Sequence, residues 1–98
     1  MPKIFFPSQY KKAILKKTKI VTIRIDSEID KYKINKIYKA CSYGGADWKR
    51  KIKITETKKS SVNNLLKLGI PKKSLISLKN NNHLKKSSIV QIIHFEYL

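Results

Sequence analysis

The segment Trp48–Thr57, "WKRKIKITET", alternates in a way that suits an extended strand, with Trp48, Ile52 and Ile54 on one side and Lys49, Lys51 and Lys53 on the other. Two further stretches carry related signals. Ile20–Ile25 sets Val21, Ile23 and Ile25 on one face against Ile20, Thr22 and Arg24 on the other, and "SSIVQIIHFEYL" reads as a long closing strand. A chain built around such segments must form a sheet, and a sheet needs a second layer to cover its apolar face.

The remaining segments supply that layer. "KIFF" at 3–6 reads as a first strand, and Pro7-Ser8 as a helix start with Ser8 as N-cap. Tyr10, Ala13 and Ile14 then fall at helical spacing, while Lys11, Lys12, Lys16 and Lys17 suit the exposed side. "DSEIDKYK" holds three of the six acids and reads as a loop before a strand around Lys36–Tyr43, and "GGAD" makes a turn. "SSVNNLLKLG" offers a serine cap, Val62, Leu65 and Leu66 at helical spacing, and Gly69 as a stop. Pro71 opens a further short helix through Leu78, and "KNNNHLKK" is a polar loop. There is no internal repeat and no linker, so residues 1–98 read as a single domain. A two-layer α+β arrangement, or a small barrel with helices over its openings, fits this order.

Charge points to the partner. Lys and Arg number 23 against 6 Asp and Glu, a formal net charge of +17. Such a surface attracts polyanions, which puts nucleic acid first and an anionic membrane second. AT-rich coding accounts for abundant Lys, Ile and Asn but not for scarce Glu, whose codons are also AT-rich. The longest apolar runs are far short of the ~20 residues of a membrane span, and "MPKIFFPSQYKK" does not resemble a signal peptide. The lone Cys41 excludes an internal disulfide and fits a reducing compartment, so the expected location is cytoplasmic. His83 and His94 show no metal spacing, and the three glycines are too few for a phosphate-cradling loop. No metal or cofactor is therefore expected.

The run "FFPSQYKKAILKKTKIVTIRID" resembles the N-terminal signature of ASCH domains, members of the PUA-like superfamily: an aromatic strand, a helix ending near an "ILxGxK" element, then a "KTxTxR" strand. "INKIYKACSYGG…WKRKIKI" is similar to the next two strands of that family and "IVQIIHFEYL" to its last. This chain departs from the pattern in two places. Lys-Lys-Thr stands where the family has a glycine turn after the helix, and Asn35 where it has Gly before the second strand. The resemblance implies a small PUA-like β-barrel with a cleft between the helix end and the "KTxTxR" strand, and binding of RNA or an RNA-derived nucleotide. One branch of the family consists of amidohydrolases that act on acetylated cytidine with a Lys, a Thr and a Glu. Lys19 and Thr22 match the first two, and the Glu has no counterpart.

Each candidate residue has two readings. Lys19 is an anion ligand or a surface lysine, and Thr22 a nucleophile or a β-branched strand residue filling a half-buried face. Arg24 is a fork for phosphate or a structural partner for Asp26 or another acid. The lysine ladder of Lys49, Lys51 and Lys53 is a phosphate-binding stripe or a solvated face. Trp48 and Tyr43 suit base stacking or, for Trp48 above all, the core. Cys41 suits a buried thiol. The expected function is RNA or nucleotide binding by Lys19, Arg24 and the lysine ladder, with acetylcytidine-type deacetylation by Thr22 and Lys19 as the alternative.

Overall fold

Two long antiparallel strands form the spine of the fold: β4 (Asp47–Ser61) and β5 (Ile89–Tyr97), paired from Ile52↔Tyr97 to Ser61↔Ile89. The computed structural model describes residues 1–65, 67 and 88–98. Around the spine lie β1 (Lys3–Phe6), β2 (Val21–Arg24) and β3 (Ile37–Ser42), giving one five-stranded sheet in the order β1-β3-β4-β5-β2. β1 runs parallel to β3, and every other pairing is antiparallel. The helices expected over Leu66 and over 71–78 lie outside the described residues. Of the segment before them, Val62–Asn64 forms a single 3₁₀ turn, without a side-chain cap from Ser61.

The mixed sheet with few helices agrees with the α+β expectation, but the expected barrel is not closed by backbone pairing. Among the described residues β1 and β2 remain sheet edges with no ladder between them. What crosses the seam is a side chain: Arg24 Nη1 on β2 donates to the Phe5 carbonyl on β1 at 2.7 Å. The sheet therefore curls far enough for its edges to be stapled by a guanidinium but not zipped by amides.

Both faces of the sheet are covered where β5 runs. Ile93 and Phe95 point into the main core with Ile4, Phe6, Ile14, Tyr38, Trp48, Ile52 and Ile54. Val90 and Ile92, at the alternate positions, pack with Val62 and Leu65 and with the partly buried Val21, Ile23 and Ile25. This explains the nearly continuous apolar run of β5, because a strand buried on both sides cannot alternate with polar residues. One extra residue in β4, Thr55, shifts the register between Ile54 and Glu56 and reverses which side the following residues face.

The ends of α1 (Lys11–Leu15) are built differently from the sequence expectation. Ser8 makes no side-chain cap. Ser8–Tyr10 instead forms a 3₁₀ turn, closed by Tyr10 N–H donating to the Pro7 carbonyl at 3.0 Å, before the α-helix begins. At the other end, Thr18 N–H donates to the Ala13 carbonyl at 2.9 Å and Lys17 N–H to the Ile14 carbonyl at 3.1 Å. These paired bonds make a Schellman stop, whose left-handed residue is normally glycine. Here Lys17 takes that place with φ 60°. Asn35, at the second glycine position of the family pattern, is also left-handed at φ 66°, as an Asn tolerates.

Candidate cationic site

β2 alternates as its sequence suggests, but its polar side is not open. Thr22 is 7% exposed and Arg24 3%. Both lie on the side of the sheet that carries Ile93, the cross-strand partner of Thr22. The Arg24 guanidinium is held between two rings, 4.8 Å from the Phe6 centroid and 5.2 Å from that of Tyr32. Its Nη1 reaches both oxygens of Glu28 at 3.3 Å as well as the Phe5 carbonyl. Glu28 also accepts from the hydroxyls of Tyr32 (3.1 Å) and Tyr43 (3.2 Å). The acid that pairs with Arg24 is thus Glu28, four residues on, rather than Asp26.

This network leaves an imbalance. Nε and Nη2 of Arg24 are buried without a hydrogen-bond partner among the described residues. Buried donors left unpaired cost about 1–3 kcal/mol each, more on a charged group. Lys19, just before β2, is half-buried with its ammonium 4.2 Å from the Tyr10 ring centroid. Burial, and secondarily the charge of Arg24, lower its pKa from 10.5 to about 8. Lys19 thus lies within electrostatic reach of Arg24. Burial is also the main cause that raises the Tyr32 hydroxyl to about 12, so it stays a donor to Glu28.

No carboxylate serves Thr22. Its hydroxyl makes no hydrogen bond among the described residues. Glu56 pairs with His94, next to Thr22's partner Ile93 on β5, and so faces the other side of the sheet. Glu96 pairs with Lys53 on that other side too, opposite the core residue Phe95. Glu28 is committed to Arg24 and two tyrosines. The cleft that the resemblance implies along this strand is not open at Thr22 and Arg24, which are enclosed side chains with Lys19 at their margin.

The lysine ladder also changes shape. Ala40 pairs with Arg50 and Cys41 with Asp47, so Trp48 and Lys49 form a bulge of two extra residues. Lys49 sits in it with φ 57°, out of line with its neighbours. Lys51 is exposed opposite Lys39, while Lys53 is partly buried between Ile37 and Glu96. Lys49 and Lys51, without Lys53, line a depression of about 360 Å³ with Lys17, Lys39, Arg50, Asp47 and Leu98. Lys17, Lys39 and Arg50 were not singled out from the sequence, and only the lysine at a glycine position could have flagged Lys17.

Trp48 belongs to the core, stacked on Phe6 at 6.4 Å, and Cys41 is a buried thiol whose pKa is raised chiefly by burial. Tyr43 is exposed and stacks on Phe5 at 6.0 Å. Among the described residues no cluster of His, Cys, Asp and Glu could hold a metal ion, and no helix is long and apolar enough to cross a membrane.

No protein-family model and no curated protein matches the sequence. Solved structures do match. The ASCH domain of Lactobacillus crispatus JV V101 is similar over 89% of this chain and 69% of its own, at TM-score 0.59 and 13% identity. A protein from Enterococcus faecalis V583 is similar over 100% of this chain and 80% of its own, at TM-score 0.69 and 10% identity. A Pyrococcus furiosus protein is similar over 99% and 96%, at TM-score 0.62 and 16% identity. At such identities the likeness is one of backbone rather than of chemistry, and it agrees with the strand–helix–strand opening read from the sequence: this chain has the fold of an ASCH domain.

Proposed function

We propose that this domain binds RNA, or a nucleotide derived from it, with Lys19 as the residue that meets the ligand and Arg24 supplying positive field behind it. The observation that carries this reading is unused donor capacity: two buried guanidinium nitrogens of Arg24 without a hydrogen-bond partner among the described residues, together with an ammonium whose pKa burial and Arg24 push down to about 8. A group that loses pKa through burial and a neighbouring cation is one that gains when an anion or a carbonyl arrives. The net charge of +17 adds long-range attraction for a polyanion. A single domain in the cytoplasm belongs to the same reading.

Lys19→Ala is the clean test, because Arg24 also staples the fold. Binding of single-stranded RNA and of nucleoside monophosphates to the full chain is measured by fluorescence anisotropy and calorimetry. A charged hydrogen bond contributes about 1.5–3 kcal/mol, so the variant should bind roughly ten- to a hundredfold more weakly. Equal affinity in the two proteins removes Lys19 from the site.

The lowered pKa of Lys19 also favours a second reading, an amidohydrolase acting on an acylated nucleoside such as acetylcytidine. A lysine near pKa 8 can shed a proton and assist the Thr22 hydroxyl as nucleophile. The missing carboxylate weighs against it. Turnover of acetylcytidine that disappears in Thr22→Val would establish it, and a folded wild-type chain without turnover would dismiss it.

A further inference from the structure

The depression beside the β3–β4 hairpin lies apart from the Lys19–Arg24 centre in its residues, and its construction is unusual. Five non-glycine residues have positive φ among the described ones: Lys17, Asp26, Asp30, Asn35 and Lys49. Three are Asp or Asn, whose short polar side chains tolerate the left-handed region. The other two are lysines, and both line this depression. Glycine would take either position without strain. Strained conformations tend to gather where they aim a side chain at a task.

Its charges are not used up by the fold. Lys39 pairs with Asp47 at 3.2 Å, and Asp47 also accepts from Lys49 N–H at 2.7 Å, which together satisfy the acidic side chain in the lining. Arg50 is turned to the backbone, with Nε and Nη2 donating to the Leu15 carbonyl at 3.3 and 3.1 Å and Nη1 to that of Lys49 at 3.2 Å. It thereby ties the end of α1 to the bulge and contributes charge rather than reach. The ammonium groups of Lys17, Lys49 and Lys51 have no ion-pair partner among the described residues. At about 360 Å³ the depression is at the small end of ligand sites, which run from about 300 Å³ upwards.

We infer that Lys17, Lys49 and Lys51 form a phosphate subsite that grips the backbone of a bound RNA strand. The inference rests on the RNA reading above and deepens it, since it assigns the strand's phosphates to a place separate from Lys19. Arg50 and the Lys39–Asp47 pair are its positioning residues, holding the two left-handed lysines at their angles.

The test compares two double variants that lose the same charge. Lys49→Gly/Lys51→Gln removes two of the subsite's three lysines while placing glycine at position 49, where the backbone is left-handed, so its Tm should be no lower than that of the wild type. Lys33→Gln/Lys58→Gln removes two exposed lysines that do not line the depression. Binding of a fluorescent oligouridylate is followed against salt concentration. For a single strand, each phosphate that the protein no longer neutralises should flatten the log–log salt slope by about 0.7. The first pair should show that flattening and bind at least tenfold more weakly, and the second should keep the wild-type slope. Equal effects in the two pairs overturn the subsite and leave only diffuse charge. If the wild type binds no oligouridylate, the RNA reading fails by itself, and the depression is judged by NMR titration with inorganic tripolyphosphate. Amide shifts confined to residues 17, 39 and 47–51 uphold a phosphate site there, and shifts scattered over the surface refute it.

Discussion

Arg24 was open to two readings, a fork for phosphate or a structural partner for an acid, and the fold supplies the acid. Its planar fork does meet a carbonyl and a carboxylate, but both belong to this chain: Phe5 and Glu28. Removing the guanidinium would leave Glu28 with two tyrosine hydroxyls and take the cation from between two rings. Breaking a buried pair on one side costs about 3–5 kcal/mol; Glu28 is 20% exposed, so the lower end applies. Arg24→Met should lower stability by about 3 kcal/mol, seen as a lower urea midpoint at unchanged m-value. Lys19 predicts a pH effect of definite sign. Its pKa is about 8 in the fold against 10.5 as the ordinary value, so folding disfavours its protonated form. Its contribution to stability is therefore present above 10.5 and lost as pH falls through about 8. Lys19→Met should be more stable than the wild type near neutral pH, with the gap closing towards alkaline pH in parallel urea titrations. Anion binding favours the protonated lysine, so nucleotide affinity should fall as pH rises through about 8, and this fall should vanish in the variant.

Among the elements, the two chain reversals that carry left-handed lysines are under strain that their sequences do not relieve. A left-handed non-glycine residue costs about 1–2 kcal/mol, and glycine gives back about 0.4–1 kcal/mol through the unfolded state. Lys17→Gly, at the Schellman position, should gain a net ~0.5 kcal/mol, measured by thermal or urea unfolding. The strands themselves differ in security. β4 and β5 are paired along their lengths and covered on both faces near Ile92 and Ile93, whereas β1 and β2 are edges of four residues each. Native-state hydrogen exchange should find the β4–β5 amides opening only with the whole molecule and those of β1 opening earlier. Ile93→Ala, which empties a fully buried site in the main core, should cost about 2–5 kcal/mol.

For the molecule as a whole, +17 acts in two directions. Like charges repel one another in the compact state, and the same charges attract a polyanion. Added salt, with a Debye length of about 10 Å at 0.1 M, should therefore raise Tm while it weakens RNA binding. A scan of both quantities over the same salt series would show opposite slopes, and parallel slopes would separate the charge from the binding. The open seam between β1 and β2 is a feature of this scale as well. Its edges meet through Arg24 rather than a ladder, so the variant that weakens the staple should also speed exchange along both edges.

Period and composition determined much of this protein directly. The sheet, the strand near Lys36–Tyr43, the "GGAD" turn, the burial of Trp48 and Cys41 and the overall polarity of charge follow from alternation, turn residues and the count of lysines, which are local properties. Tertiary structure decided what local pattern cannot carry. A bulge of two residues broke the lysine ladder, because face assignment by counting holds only while the register does. The curl of the sheet closed Thr22 and Arg24 off from solvent, because a polar strand face is exposed or buried according to what lies across from it. Lys17, Lys39 and Arg50 came together with Lys49 and Lys51 from three separate elements, and proximity across such separations is a property of the folded chain alone.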